Sequence, residues 1–361
     1  MMGYNLNEIL RNFKVEADIA SYGNGHINDT YIVEMNPKYI LQRINTDIFS
    51  DPFDVMENIS NVTTHIRKKT IENGGNPDRE VLTVIHTIND ETFYKCEDGS
   101  CFRLYKFIDK AISYDIVDDP KKLKSAGVAF GKFQKYLSDF PMEKLHETIK
   151  DFHNTPVRFE AFKKALSDDK ASRAKDACDE IKFVLDRAHY CDVVVNEIKS
   201  GNIPLRVTHN DTKLNNVMLD AKTNEGVCVI DLDTVMPGSL LYDYGDALRF
   251  GANTGAEDEA DLSKVNFSDE MFEAFTEGFL SQVKDTLTEK EKENLVFSIK
   301  LMTFECGMRF LTDYLNGDTY FKVHKKDHNL LRCRTQFKLI SDIESKEEKL
   351  NKKLNEIIQN L

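Results

Sequence analysis

The stretch HNDTKLNNVMLDAKTNEGVCVIDLD, residues 209–233, constrains this chain more than any other. Two apolar runs, NVMLD and VCVIDLD, are joined by the polar turn AKTNEG, the pattern of two strands closed by a short loop. His209, Asp211, Asn216 and Asp231 stand at the ends of these runs. Polar groups at the ends of buried strands are costly unless something binds them. A carboxylate at position 211 can orient a hydroxyl and take its proton. Asn216 offers a carbonyl oxygen to a hard cation, and Asp231 a charged oxygen to the same or a second ion. His209 is read as orienting the loop. A polar loop with a capping Asp and a solvated Asn also fits the Asp-x-x-x-x-Asn spacing, but leaves the following strand pair and DLD unexplained.

The rest of the chain supplies a setting. EADIASYG, DTYIVEM and YILQRIN, within residues 16–46, read as strands separated by turn residues. DPFDVMENISNVTTHIRKKTIENGG has helical apolar spacing and ends in glycines near Gly74. VLTVIHT, TFYKC and CFRLYKFI read as further strands, with Asp98-Gly99 as a hairpin signal. Beyond about residue 110 the apolar spacing is helical almost throughout, except for LRVTH and the two runs of the opening stretch. In ESKEEKLNKKLNEIIQNL, Leu350, Leu354, Ile357 and Leu361 mark one helical face, expected to pack on its own domain. The expected fold class is α+β with two lobes. Residues 1–107 form a small antiparallel-sheet lobe with one main helix, and residues 108–361 a larger, mostly helical lobe. A cleft between lobes is the expected place for a small-molecule site.

Composition removes several classes of function. A net charge of −13 argues against nucleic-acid binding, which needs clustered Lys and Arg. No apolar run approaches membrane-spanning length, and the N-terminus carries charges with no apolar export core, so a cytoplasmic location is expected. Seven cysteines at irregular spacing suggest reduced thiols rather than a disulfide framework or a zinc site. No obligate protein partner is expected.

His-x-Asp followed five residues later by Asn is the spacing of a kinase catalytic loop. YGNGHINDTY lies between two expected strands, where Gly23 and Gly25 allow close backbone approach to phosphates and Asn28 and Tyr31 would pin the loop. A Gly-rich hairpin turn is the plainer alternative.

The order of these parts resembles the aminoglycoside phosphotransferase and choline kinase superfamily, whose fold is protein-kinase-like. GNGHINDTY, LQRINTDIF, LYKFID, HNDTKLNNVMLD, VCVIDLDTVMPG, YDYGDALRF and RFLTDYLNGDTYF together are similar to the N-acetylhexosamine 1-kinase family, over roughly residues 20–325. The resemblance implies transfer of phosphate from ATP, with Mg2+, to the anomeric hydroxyl of N-acetylglucosamine or N-acetylgalactosamine. It implies Asp211 as catalytic base and Asn216 and Asp231 as metal ligands. It also implies nucleotide contacts from Gly23, Gly25, Asn28 and the backbone of Lys106, Phe107 and Ile108. Asp243 and Asp246 fall where related enzymes carry an acid that steadies the catalytic loop, and a helix-dipole role is the alternative. YILQRIN departs from the protein-kinase pattern by offering Gln42 and Arg43 instead of a phosphate-binding Lys. Arg43 is the expected phosphate contact, with Glu57 as its expected partner, and a surface Arg is the alternative. DLD in place of Asp-Phe-Gly suggests a site that is always assembled. Arg309 and Asp313, four apart on an expected helix, and Tyr314 have the types a sugar site needs. An intrahelical ion pair beside a buried Tyr is the alternative. Competing expectations are a kinase for choline, another amino alcohol, homoserine or an aminoglycoside, and a nucleotide-binding scaffold without catalysis.

Overall fold

The computed structural model describes residues 4–23, 28–116 and 118–361, in two compact units. The first comprises residues 1–112, 136–150 and 217–237, and the second residues 113–135, 151–216 and 238–361.

The first unit is built on an antiparallel sheet. Its strands run Asp18–Ser21, Asp29–Glu34, Tyr39–Ile44, Cys101–Lys106 and Val84–Ile85 in spatial order, and Tyr94–Lys95 also pairs with Cys101–Lys106. Alternation along the strands puts Val33, Leu41, Phe102 and Leu104 in a core with Ile9, Leu10, Phe13 and Val15 of the N-terminal segment. The expected main helix is Pro52–Glu72. Asp51 caps it by accepting a 2.9 Å bond from the Phe53 N–H, and Pro52 occupies the first turn, where its missing N–H costs nothing. Asn58 of this helix is buried and ties three segments of the unit together. Its amide donates to the carbonyls of His146 and Val235 at 2.8 and 2.9 Å and accepts from the His146 N–H at 2.8 Å. A small sheet joins Gly226–Val229, Val217–Asp220 and Ala111–Ile112, and the first pair is the strand pair of the opening stretch.

The second unit is helical. At its centre is Leu240–Gly251, nearly all of whose residues are buried. It crosses Glu289–Asn316 so closely that a Cβ on Gly245 would lie 2.3 Å from the Ser298 carbonyl oxygen. Glu289–Asn316 starts in a capping box between Thr288 and Glu291 and stops at Gly317, whose φ of 96° needs no Cβ penalty. His328–Asn360 packs along it. Leu350, Leu354 and Ile357 are buried as the helical spacing requires, whereas Leu361 is exposed. No helix among the described residues is long and apolar enough to cross a membrane. None of the seven cysteines is in a disulfide.

Candidate functional site

The loop carrying Asp211 is anchored by its backbone. Asp243, inside the Leu240–Gly251 helix, accepts from the His209 N–H at 2.9 Å and the Asn210 N–H at 2.7 Å, and Gln134 donates to the same carboxylate at 2.6 Å. Burial pushes the Asp243 carboxyl up, and the neighbouring His209 and these donors pull it back. His209 itself is fully buried, edge-on to Phe130 and Phe133 at 5.6 and 6.0 Å, and its Nδ1 accepts from the Asp211 N–H at 3.3 Å. It is a packing and orienting group. Asp246 has a separate task, holding Arg249 one turn away at 2.7 Å.

Asp211 is half-buried and pairs with Lys213 Nζ at 2.9 Å. Burial opposes its ionisation, but Lys213, His209 and Arg249 together outweigh that cost and hold the carboxyl below the usual carboxylate value. The Lys213 ammonium is in turn raised, first by Asp211 and against its own burial. Asn216 donates its amide to the Asp211 backbone carbonyl at 2.7 Å and to Asp211 Oδ2 at 3.1 Å. Its nitrogen thus braces the Asp211 carboxylate, and its side-chain oxygen is the atom suited to a hard cation. Asp231 belongs to the first unit, exposed, with φ 59° at the start of the short turn Leu232–Thr234. No cluster of three or more His, Cys, Asp or Glu among the described residues is arranged to hold a metal ion. Asn216 and Asp231 each offer a hard oxygen donor of the kind Mg2+ takes alongside phosphate and water oxygens.

In the first unit the nucleotide candidates have the following surroundings. Gly23 has φ 72°, and Gly25 lies outside the described residues. Asn28 accepts from the Asn45 N–H at 3.0 Å and donates to Asp233 at 2.7 Å. The N–H groups of Lys106 and Phe107 donate to the carbonyls of Thr83 and Lys38, and Ile108 is buried. Arg43 does not meet Glu57. It pairs with Asp29, directly opposite on the neighbouring strand, at 2.7 Å, while Glu57 meets His146 at 2.9 Å. The reason is strand alternation: Arg43 shares the face of Leu41, against Tyr4 of the N-terminal segment, whereas Gln42 lies on the opposite face with Arg103, which reaches Met56 of the main helix. Opposite Gln42 stands Arg103, which is 1% exposed, donates to Gln42 Oε1 and pairs with Asp233. Sequence reasoning missed this buried pair. Its only signal was a charged residue at the centre of the apolar run CFRLYKF, matched by the second Asp of DLD.

In the second unit the acceptor candidates diverge. Asp313 does not pair with Arg309. Its oxygens accept from the N–H groups of Thr319, Tyr320 and Phe321 at 2.8–2.9 Å and from the Asn329 amide at 2.9 Å, so its observed task is to fold the 318–321 turn. Tyr314 is 2% exposed, with the Arg173 guanidinium 4.8 Å above its ring. Arg309 instead lies against the rings of Phe152 and Phe321 at 5.4 and 5.7 Å. No ion pair engages it among the described residues. Arg158 is close enough that burial, followed by the Arg309 charge, lowers its guanidinium.

Residues 18–274 match the phosphotransferase enzyme family, and the chain belongs to that family. Among solved structures it is similar to a microcompartment-associated aminopropanol kinase (14% identity, TM-score 0.59), covering 96% of this chain and 98% of that one. It is also similar to a spectinomycin phosphotransferase solved with ADP and spectinomycin (14%, 0.56, covering 95% and 98%). A third is an ethanolamine kinase from Plasmodium vivax (15%, 0.54, covering 88% and 82%). At these identities the likeness concerns the fold, which is the two-lobe, protein-kinase-like one expected from the sequence.

Proposed function

We propose that this chain is an ATP- and Mg2+-dependent sugar kinase that phosphorylates the anomeric hydroxyl of an N-acetylhexosamine, giving the 1-phosphate and ADP. Asp211 is the base. It orients the acceptor hydroxyl and takes its proton as the oxygen attacks the γ-phosphorus and the bond to the β-phosphate oxygen breaks. Lys213 and Arg249 keep Asp211 ionised before the acceptor arrives, and Asn216 holds its carboxylate in direction. Asn216 and Asp231 are the proposed ligands of the cation, which would neutralise charge on the transferring group. Gly23, Gly25, Asn28 and Lys106–Ile108 are the proposed nucleotide contacts.

The observation that carries the acceptor reading is Arg309, a guanidinium braced by two aromatic rings, without an ion-pair partner among the described residues and beside a second guanidinium, Arg158. A fork of this kind suits a neutral acyl carbonyl and hydroxyls. The similarity to aminopropanol and ethanolamine kinases favours an amino alcohol instead, and that is the second reading.

The test is Mg2+-dependent ATP consumption across N-acetylglucosamine, N-acetylgalactosamine, choline, ethanolamine, aminopropanol and an aminoglycoside. The sugars should drive turnover, and Arg309→Ala should raise the sugar KM while leaving the KM for ATP alone. Turnover on an amine with the sugars inert would overturn the acceptor assignment.

A further inference from the structure

His153 precedes the Thr155–Asp168 helix, and its ring is 7% exposed. Nδ1 lies 2.8 Å from Glu305 Oε1, and Nε2 lies 3.1 Å from the backbone carbonyl oxygen of Asn210. The ring is thus held between a carboxyl group and a backbone carbonyl. Glu305 is 1% exposed and takes a 2.6 Å bond from the Thr155 hydroxyl at its second oxygen. Burial opposes its ionisation, but His153, Arg309 and the Thr155 hydroxyl together outweigh that, so the carboxyl is held below its ordinary value.

The bond to Asn210 falls on a critical peptide. Asn210 has φ 64°, uncommon for a residue with a side chain, and it directly precedes Asp211. The peptide joining the two is held at both ends, its carbonyl by His153 and its N–H by His209 Nδ1. Turning that plane swings the Cα–Cβ bond of Asp211. We propose that His153, held between Glu305 and the Asn210 carbonyl, is a positioning residue that fixes the direction of the Asp211 carboxylate. This rests on Asp211 being the base.

The charged and titratable groups around the pair come from several elements. Asp151 lies on the same segment as His153, Arg158 on the helix that follows, and Glu305 and Arg309 on Glu289–Asn316. The Tyr242 ring is 5.3 Å from that of His153, and Cys191 faces Glu305. Glu305 is the carboxylate within hydrogen-bond distance of the ring, and with the Asn210 carbonyl it sets which way the ring faces.

Kinetics on the full chain test this. His153→Gln should melt as the wild type does, keep its KM for ATP and lose about a hundredfold in kcat, the scale of a misplaced reacting group. Glu305→Gln, which keeps an oxygen beside Nδ1, should lose less in kcat than His153→Gln. Wild-type kcat in a folded His153→Gln overturns the proposal, as does a KM for ATP that moves with kcat. If the wild-type protein phosphorylates no acceptor, the role of Asp211 fails, and with it the reading on which this proposal rests.

Discussion

Lys213 shows how one side chain sets the working state of another. Its ammonium favours ionised Asp211, so the carboxylate stays a base at pH values where an ordinary buried acid would be protonated. The sign follows directly. A depressed carboxyl protonates only at low pH, so the acid limb of kcat/KM lies below the usual carboxylate range. Lys213→Met removes the favourable charge, and the limb should move to higher pH; an unmoved limb means another group governs it. Asp211→Asn should lower kcat by roughly a hundred to ten thousandfold with nucleotide affinity unchanged, as expected for loss of a general base. Isothermal titration with a nonhydrolysable ATP analogue, alongside turnover, separates the two quantities. Arg103→Met should destabilise the fold by about 3–5 kcal/mol in denaturant titrations, because it leaves Asp233 buried without its cation. At this scale legibility followed sequence distance. Asp211 and Asn216 share one loop, and their spacing could be read as a pair. Arg103 and Asp233 are 130 residues apart, and no local pattern joins them.

The elements were the most legible part, and the reason is periodicity. Apolar spacing and terminal glycines in DPFDVMENISNVTTHIRKKTIENGG point to a helix ending near Gly74, and the helix runs Pro52–Glu72 with Asp51 as its cap. The Asp98-Gly99 turn joins Tyr94–Lys95 to Cys101–Lys106, with Gly99 at φ 87°. Periodicity says which face is buried but not what it meets. GVAFG in the helix Pro120–Tyr136 read only as an amphipathic stretch. The structure uses its glycines for a close crossing with Asp269–Val283, where a Cβ on Gly127 would lie 2.5 Å from the Phe275 carbonyl oxygen and one on Gly278 2.2 Å from that of Lys124. These neighbours are backbone atoms and cannot rotate aside. Gly278→Ala should therefore cost about 1–3 kcal/mol in spite of its better helix propensity, as overpacking does. A melting temperature equal to or above wild type would show that the two helices can separate. Asp313 is the converse case. Its spacing from Arg309 was correct for a shared helical face, yet three backbone N–H groups of the following turn compete for it and win.

For the molecule as a whole, fold and family rest on many residues and the acceptor on few. Family membership spans residues 18–274, whereas the acceptor reading depends on Arg309, Arg158 and the rings that brace them. The charge of −13 adds little, because net charge describes the outer field and a local pocket can carry the opposite sign. The central claim is transfer to an anomeric hydroxyl, and the chemistry of the product reports on it directly. A sugar phosphorylated at its anomeric carbon cannot open to the aldehyde, whereas one phosphorylated at a remote hydroxyl keeps its reducing end. The measurement is the reducing-end signal of an N-acetylhexosamine followed beside ATP consumption in one reaction. The account predicts that one reducing end disappears for each ATP consumed. An undiminished reducing-end signal while ATP is used with the sugar phosphorylated would contradict it.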